Sequence, residues 1–121
     1  MIIEVSVGEA LDKLSILKIK TERIKDEYKL QNVIEEYNIL SKQIGTLLDD
    51  ELYSDLIQVN QKLWDIEDKI RVKEKNNEFD SEFIELARSV YIINDERFSI
   101  KNKINTKFDS KLREEKSYEN Y

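Results

Sequence analysis

The chain has no cysteine, no histidine and no proline, and only two glycines and one tryptophan in 121 residues. Without cysteine there is no disulfide framework to staple the fold. Without cysteine and histidine the usual structural and catalytic zinc sites are excluded, and imidazole catalysis goes with them. Without proline, and with only Gly8 and Gly45 as breakers, the chain has few reasons to turn and is expected to form long helices. No apolar run approaches the roughly 18 residues of a membrane span, so none is expected. The opening Met1-Ile-Ile-Glu4 lacks a basic segment followed by an apolar one, so no secretory leader is expected and the cytoplasm is the default compartment.

What is present fits one small domain. Hydrophobic residues make up 40% and charged residues 38%, a balance that permits a folded core. The formal charge is −6. That counts against nucleic-acid binding, which needs a concentrated basic face. Lys13, Lys18, Lys20, Arg23 and Lys25 scatter around their helix, with Asp12 and Glu22 among them. No nucleic acid and no membrane is expected as a partner.

Helical periodicity runs through most of the chain. Ile2 to Val5 reads as an extended arm, and Ser6 with Glu9 fits a capping box. A first helix is predicted from about Val7 to Lys25, with Val7, Leu11, Leu14, Leu17, Thr21 and Ile24 inward. A second is predicted from about Leu30 to Leu47, after a weak break at Asp26–Lys29, with Gly45 near its end. A third starts at Asp49 or Asp50 and frays into Lys73-Glu-Lys-Asn-Asn77. Its face, Leu52, Leu56, Val59, Leu63, Ile66 and Ile70, is the cleanest in the chain. The fourth is predicted from an N-cap at Asp80, with Phe79 as a staple residue, to about Phe108. The expected fold is all-α, an antiparallel bundle of about four helices. Long helical hairpins assembling into a bundle are the competing architecture. Residues 1–121 form one helical domain in this reading, with an arm (1–6) and a less regular tail (110–121) that is loosely attached or ordered by packing.

Two polar stripes break the pattern and are the candidate binding residues. On the fourth helix Arg97 falls on the apolar face, between Ile93 and Ile100, where packing alone would favour Leu or Ile. Arg88, Tyr91, Asn94 and Asp95 run beside it. A buried guanidinium needs a partner, and Asp95, Glu96 or the third helix would supply it. Two guanidiniums with an acid to orient them suit a phosphate or carboxylate. On the third helix Trp64, Asp68 and Arg71 share one stripe at i, i+4 and i+7, with Glu67 next to it. If that acidic edge met the guanidinium edge, Trp64 would wall a pocket and Glu67 or Asp68 would be its acid. No cofactor is required; paired carboxylates could hold Mg²⁺. The plainer reading makes Trp64 a packing anchor and the charges a solvated face. Gly8, unusual at the start of a helix, would permit close approach of a neighbouring helix or of an anion.

Four blocks carry a resemblance: Val7-Gly-Glu-Ala-Leu-Asp-Lys-Leu-Ser-Ile-Leu-Lys-Ile-Lys20, Leu63-Trp-Asp-Ile-Glu-Asp68, Phe83-Ile-Glu-Leu-Ala-Arg-Ser-Val-Tyr91 with Asn94, Asp95 and Arg97, and Glu114-Glu-Lys-Ser-Tyr118. Together they resemble an uncharacterised family of small bacterial and phage proteins, domain of unknown function 6165, over nearly the whole chain. The resemblance implies no activity or ligand. It does imply that the Glu114–Tyr118 stretch is part of the protein proper.

Two functions follow as expectations. The first is a non-enzymatic helical module that binds a protein partner or self-associates. The second is a small helical enzyme or binding protein clamping an anionic small molecule between the third and fourth helices. Small helical chorismate mutases offer one pattern for the second, but the basic spacing of the first helix fits theirs poorly. Helical nucleotide pyrophosphohydrolases offer another, but Glu35-Glu36 is not followed by their acid repeat.

Overall fold

A computed structural model describes all residues 1–121. Four helices follow one another: α1 (Val7–Arg23), α2 (Glu27–Ile44), α3 (Glu51–Lys75) and α4 (Ser81–Lys107), with a 3-10 turn at Gly45–Asp49 between α2 and α3. There are no strands, so the all-α bundle predicted from periodicity is the observed class. Each helix begins at a short polar side chain that accepts an otherwise orphaned backbone N–H. Ser6 accepts from Glu9, Asp26 from Lys29, Asp50 from Leu52 and Asp80 from Phe83.

The boundaries differ from the sequence expectation where a cap decides. α2 starts at Glu27, three residues earlier than periodicity suggested, because Asp26 caps it. It ends at Ile44, because Gly45 adopts a positive φ of 64° that stops the helix. The box at Ser6 is only half formed, since Glu9 sends its carboxylate to Lys101 instead of back to the cap. Phe79 packs on Phe83, edge to face at 5.3 Å between ring centres.

The central helix is α1, which touches α2, α3 and α4, whereas α2 leans on α1 and the 3-10 turn. Its first apolar line supplies Leu11, Leu14 and Leu17 to a core completed by Tyr53, Leu56, Val59 and Ile104. A second line, Gly8, Asp12, Ser15 and Ile19, is also buried. Gly8 sits against α4: a Cβ there would lie 2.7 Å from the Lys101 carbonyl and 2.9 Å from Asn105 Oδ1. The close-approach role suggested by its position therefore belongs to helix packing, and its N–H donates to Asn105 at 2.7 Å.

α3 and α4 run antiparallel, tied by Lys107–Asp50 at one end and Lys73–Asp80 at the other. α1 spans only part of this pair. Its last residue, Arg23, reaches Asp65 and Trp64. Beyond that point α3 and α4 continue together as a two-helix prong, about 18 Å long at 1.5 Å per residue from Trp64 to Lys75. No residue from Trp64 to Ile100 is buried. No helix is long and apolar enough to cross a membrane.

Candidate functional site

Arg97 finds its counter-charge on α1. Its Nε donates to Asp12 Oδ1 at 2.9 Å and its Nη2 to Asp12 Oδ2, a two-point fork. The local partners expected from sequence, Asp95 and Glu96, do not serve, nor does an acid of α3. At 100° per residue, Asp95 lies some 200° around the helix from Arg97 and points away from it. Asp12, which in the sequence stands only as an acid among the basic residues of its helix, is 1% exposed and the hub of the cluster. Asn60 donates to its Oδ1 at 2.9 Å and to Ser15 Oγ at 2.8 Å. The Asp12 pair raises the Arg97 guanidinium pKa against the opposing effect of burial.

Lys101, one turn on from Arg97, is buried among carboxylates. Its Nζ lies 2.8 Å from Glu9, 3.0 Å from Glu114 and 3.8 Å from Asp12. Burial pulls its pKa down, but hydrogen bonds to Glu9 and Glu114 and the charge of Asp12 outweigh it, so the net direction is up. Glu114 comes from the C-terminal segment. That segment has no regular structure, yet it is tied to the bundle at several points. Val7 N donates to Ser110 Oγ at 3.1 Å, and the Lys116 ammonium lies 5.7 Å from the Phe98 ring centre. Tyr118 and Tyr121 both donate their hydroxyls to Asp95. These donors hold the Asp95 carboxyl below its ordinary range, Tyr121 contributing most.

The nine candidates from the sequence fall into separate places. Arg97 borders a polar cleft of about 220 Å³ with Glu9, Asn94, Phe98, Lys101, Glu114 and Lys116. Tyr91, Asn94 and Asp95 line an open hollow of about 620 Å³ that the exposed tail tyrosines border on the other side. Arg88 is exposed on the prong. Trp64 is half-buried under the Arg23 guanidinium, 6.0 Å from its ring centre. Glu67 and Arg71 line a shallow groove with Ile70, Glu74 and Val90, while Asp68 lies in another nearer the tip. So α3 and α4 do lie side by side, but Trp64, Glu67, Asp68 and Arg71 share no cavity with Arg97. The pocket built on their meeting is corrected accordingly: the acids of α3 sit further along the prong than the guanidinium of Arg97, and α1 fills the space facing it.

No cluster of three or more acids is arranged to hold a metal ion. The residues that sequence reasoning passed over are Asp12, Asn60, Lys101, Glu114, Tyr118 and Tyr121. One signal for Asp12 was present: Gly8, Asp12, Ser15 and Ile19 recur at i, i+4, i+7 and i+11, a second inward face carrying small and polar residues. The tail contacts have no periodic signal, because the segment is not helical.

No curated protein and no solved structure matches the chain. A family model covers residues 1–121 in full, and the chain belongs to that family, a family of unknown function (DUF6165).

Proposed function

We propose that the chain is a non-enzymatic helical assembly module whose α3–α4 prong pairs with the prong of a second copy. The observation that carries this reading is the absence of any buried residue between Leu63 and Lys101. Two helices alone cannot enclose an apolar seam. Ile66, Ile70, Phe83, Leu86 and Val90 are only half-covered, and Val72, Phe79, Ile84 and Ile92 are exposed. Two prongs laid antiparallel supply four helices, the number that closes a bundle core. A twofold arrangement also uses one patch on both copies.

The charges along the groove suit such a pairing. Glu67, Arg71 and Glu74 read acid, base, acid at i, i+4 and i+7. An antiparallel α3 centred on Lys69, near the middle of the prong, sets Arg71 of each copy against Glu67 of the other. The face is short, so the dimer is expected in the micromolar range. The anionic-ligand alternative draws less support, since Arg97 is already forked onto Asp12 and Lys101 is shared among three carboxylates.

Sedimentation velocity of the full chain from about 1 to 300 μM tests the pairing, a range that brackets micromolar association. The expected result is a concentration-dependent dimer. Glu67→Arg and Arg71→Glu should each weaken it at least about tenfold through like-charge contact. The double variant should restore it. A monomer throughout, or a dimer indifferent to both single reversals, overturns the proposal.

A further inference from the structure

The hollow beside Asp95 has a composition unlike the rest of the surface. Three tyrosines, Tyr91, Tyr118 and Tyr121, meet there over one carboxylate. The Tyr91 and Tyr121 rings are 5.0 Å apart between centres and inclined at 61°, which makes a corner rather than a flat stack. Tyr118 and Tyr121 are both held by their hydroxyls on Asp95, so their rings are fixed from the polar end. The space is about 620 Å³, enough for a small organic head group and its stem.

From this geometry we infer that the hollow binds a quaternary ammonium group, with the three tyrosines as an aromatic cage and the half-exposed Asp95 as the counter-charge. Ring faces attract cations through their quadrupole. A phenol that donates to a carboxylate gains electron density, which deepens the negative potential of its face. The Asp95 hydrogen bond, with smaller contributions from desolvation and the Asp95 charge, pushes the Tyr121 hydroxyl up to about 12, so it stays a donor at neutral pH. Glu119 at the rim adds a second negative charge. Lys116 also borders the hollow, but its ammonium is directed to Glu114 at 3.7 Å and to the Phe98 ring.

The class of cation follows from what is already used. Each oxygen of Asp95 already accepts a tyrosine hydroxyl, which leaves one lone pair on each and favours a cation that needs no N–H donor. What remains is ring surface and a carboxylate charge that Lys116 offsets only in part, which a methylated nitrogen uses without any N–H donor. The inference does not depend on the pairing of prongs. It uses the tail and the middle of α4, and it holds for a monomer.

The test is an NMR titration of the full chain with choline chloride, read on the ligand methyl protons and the tyrosine ring signals. Saturable binding with a millimolar Kd and an upfield methyl shift is expected, the affinity that a few cation–π contacts provide. The neutral isostere 3,3-dimethyl-1-butanol and methylammonium chloride should each bind at least about tenfold more weakly. Tyr91→Phe should retain binding, since the ring face is what acts, and Tyr91→Ala should lose it while helicity by circular dichroism is unchanged. Equal binding of the neutral alcohol would reduce the hollow to an apolar dimple and overturn the inference. Equal binding of methylammonium would overturn the quaternary class. Absence of saturation with choline at tens of millimolar, or unchanged binding in Tyr91→Ala, would overturn it outright.

Discussion

Asp12 and Arg97 stand 85 positions apart in the chain and meet as a two-point ion pair, with Asp12 almost fully buried and Arg97 partly so. The pair joins the central helix to α4 at the one place where α4 carries a guanidinium on its apolar face. An acid buried to this degree is stable only while its partners are present. Asp12→Ala leaves Arg97 without its fork and Lys101 with one carboxylate fewer. The expected loss is about 3 kcal/mol, the lower end for a broken buried pair because Arg97 keeps some contact with water. Urea denaturation measures it. A loss under about 1 kcal/mol would mean that Arg97 simply swings out to solvent.

Gly8 carries the second prediction. In a helix Ala is ordinarily better than Gly by about 1 kcal/mol. Here an added methyl would press on the Lys101 backbone carbonyl at 2.7 Å, which cannot move without moving α4. Gly8→Ala should therefore destabilise by about 1–3 kcal/mol, the range of overpacked cores. A thermal melt showing equal or greater stability would remove the close contact from the account of α1.

Acid should release the tail before it melts the bundle. The Asp95 carboxyl is depressed by the Tyr121 and Tyr118 hydroxyls. A depressed acid contributes stability above its unfolded pKa, and that contribution is lost as pH falls through the lower folded value. Since an unfolded Asp titrates near 3.9, the loss begins below about pH 4. Ring signals of Tyr118 and Tyr121 should then shift to unstructured positions while helicity persists. Retention of those shifts at about pH 2 would show that packing, and not the carboxylate, holds the tail.

Hydrogen exchange should divide the long hairpin in two. Amides of Leu11, Leu14 and Leu56 lie in the buried core and should open only with global unfolding. Amides of Ile70, Leu86 and Val90 in the prong, where nothing is buried, should exchange through smaller openings. Raising the protein concentration should slow the prong amides and leave the core ones unchanged. Uniform protection along α3 and α4 at low concentration would contradict a bare prong.

The sequence was most legible where structure is local. The face of Leu52, Leu56, Val59 and Leu63 names α3, and Asp80 names the start of α4, because period and cap both act within one or two turns. The value of Arg97 was legible too, as a charge where a hydrophobe belongs. Its partner was not. Asp12 read as one of the acids diluting the lysines of its own helix, and that local reading concealed a long-range role. Trp64 and Asp68 share a stripe as the spacing required, but a shared stripe says nothing about how far along the neighbouring helix the facing residues lie.

Composition, capping residues and a 3.6-residue period determined that this chain makes four long helices, where α1, α3 and α4 begin, and that α4 holds a charge in need of a partner. Only the tertiary structure decided that α1 is the central helix, that Asp12 takes Arg97, that the irregular tail ties Tyr118 and Tyr121 to Asp95, and that the far halves of α3 and α4 stand uncovered. The reason is geometric. Helix formation is written in neighbours a few residues apart, while the meeting of two helices depends on their relative rotation and offset, and 100° per residue turns an error of one position into a different face.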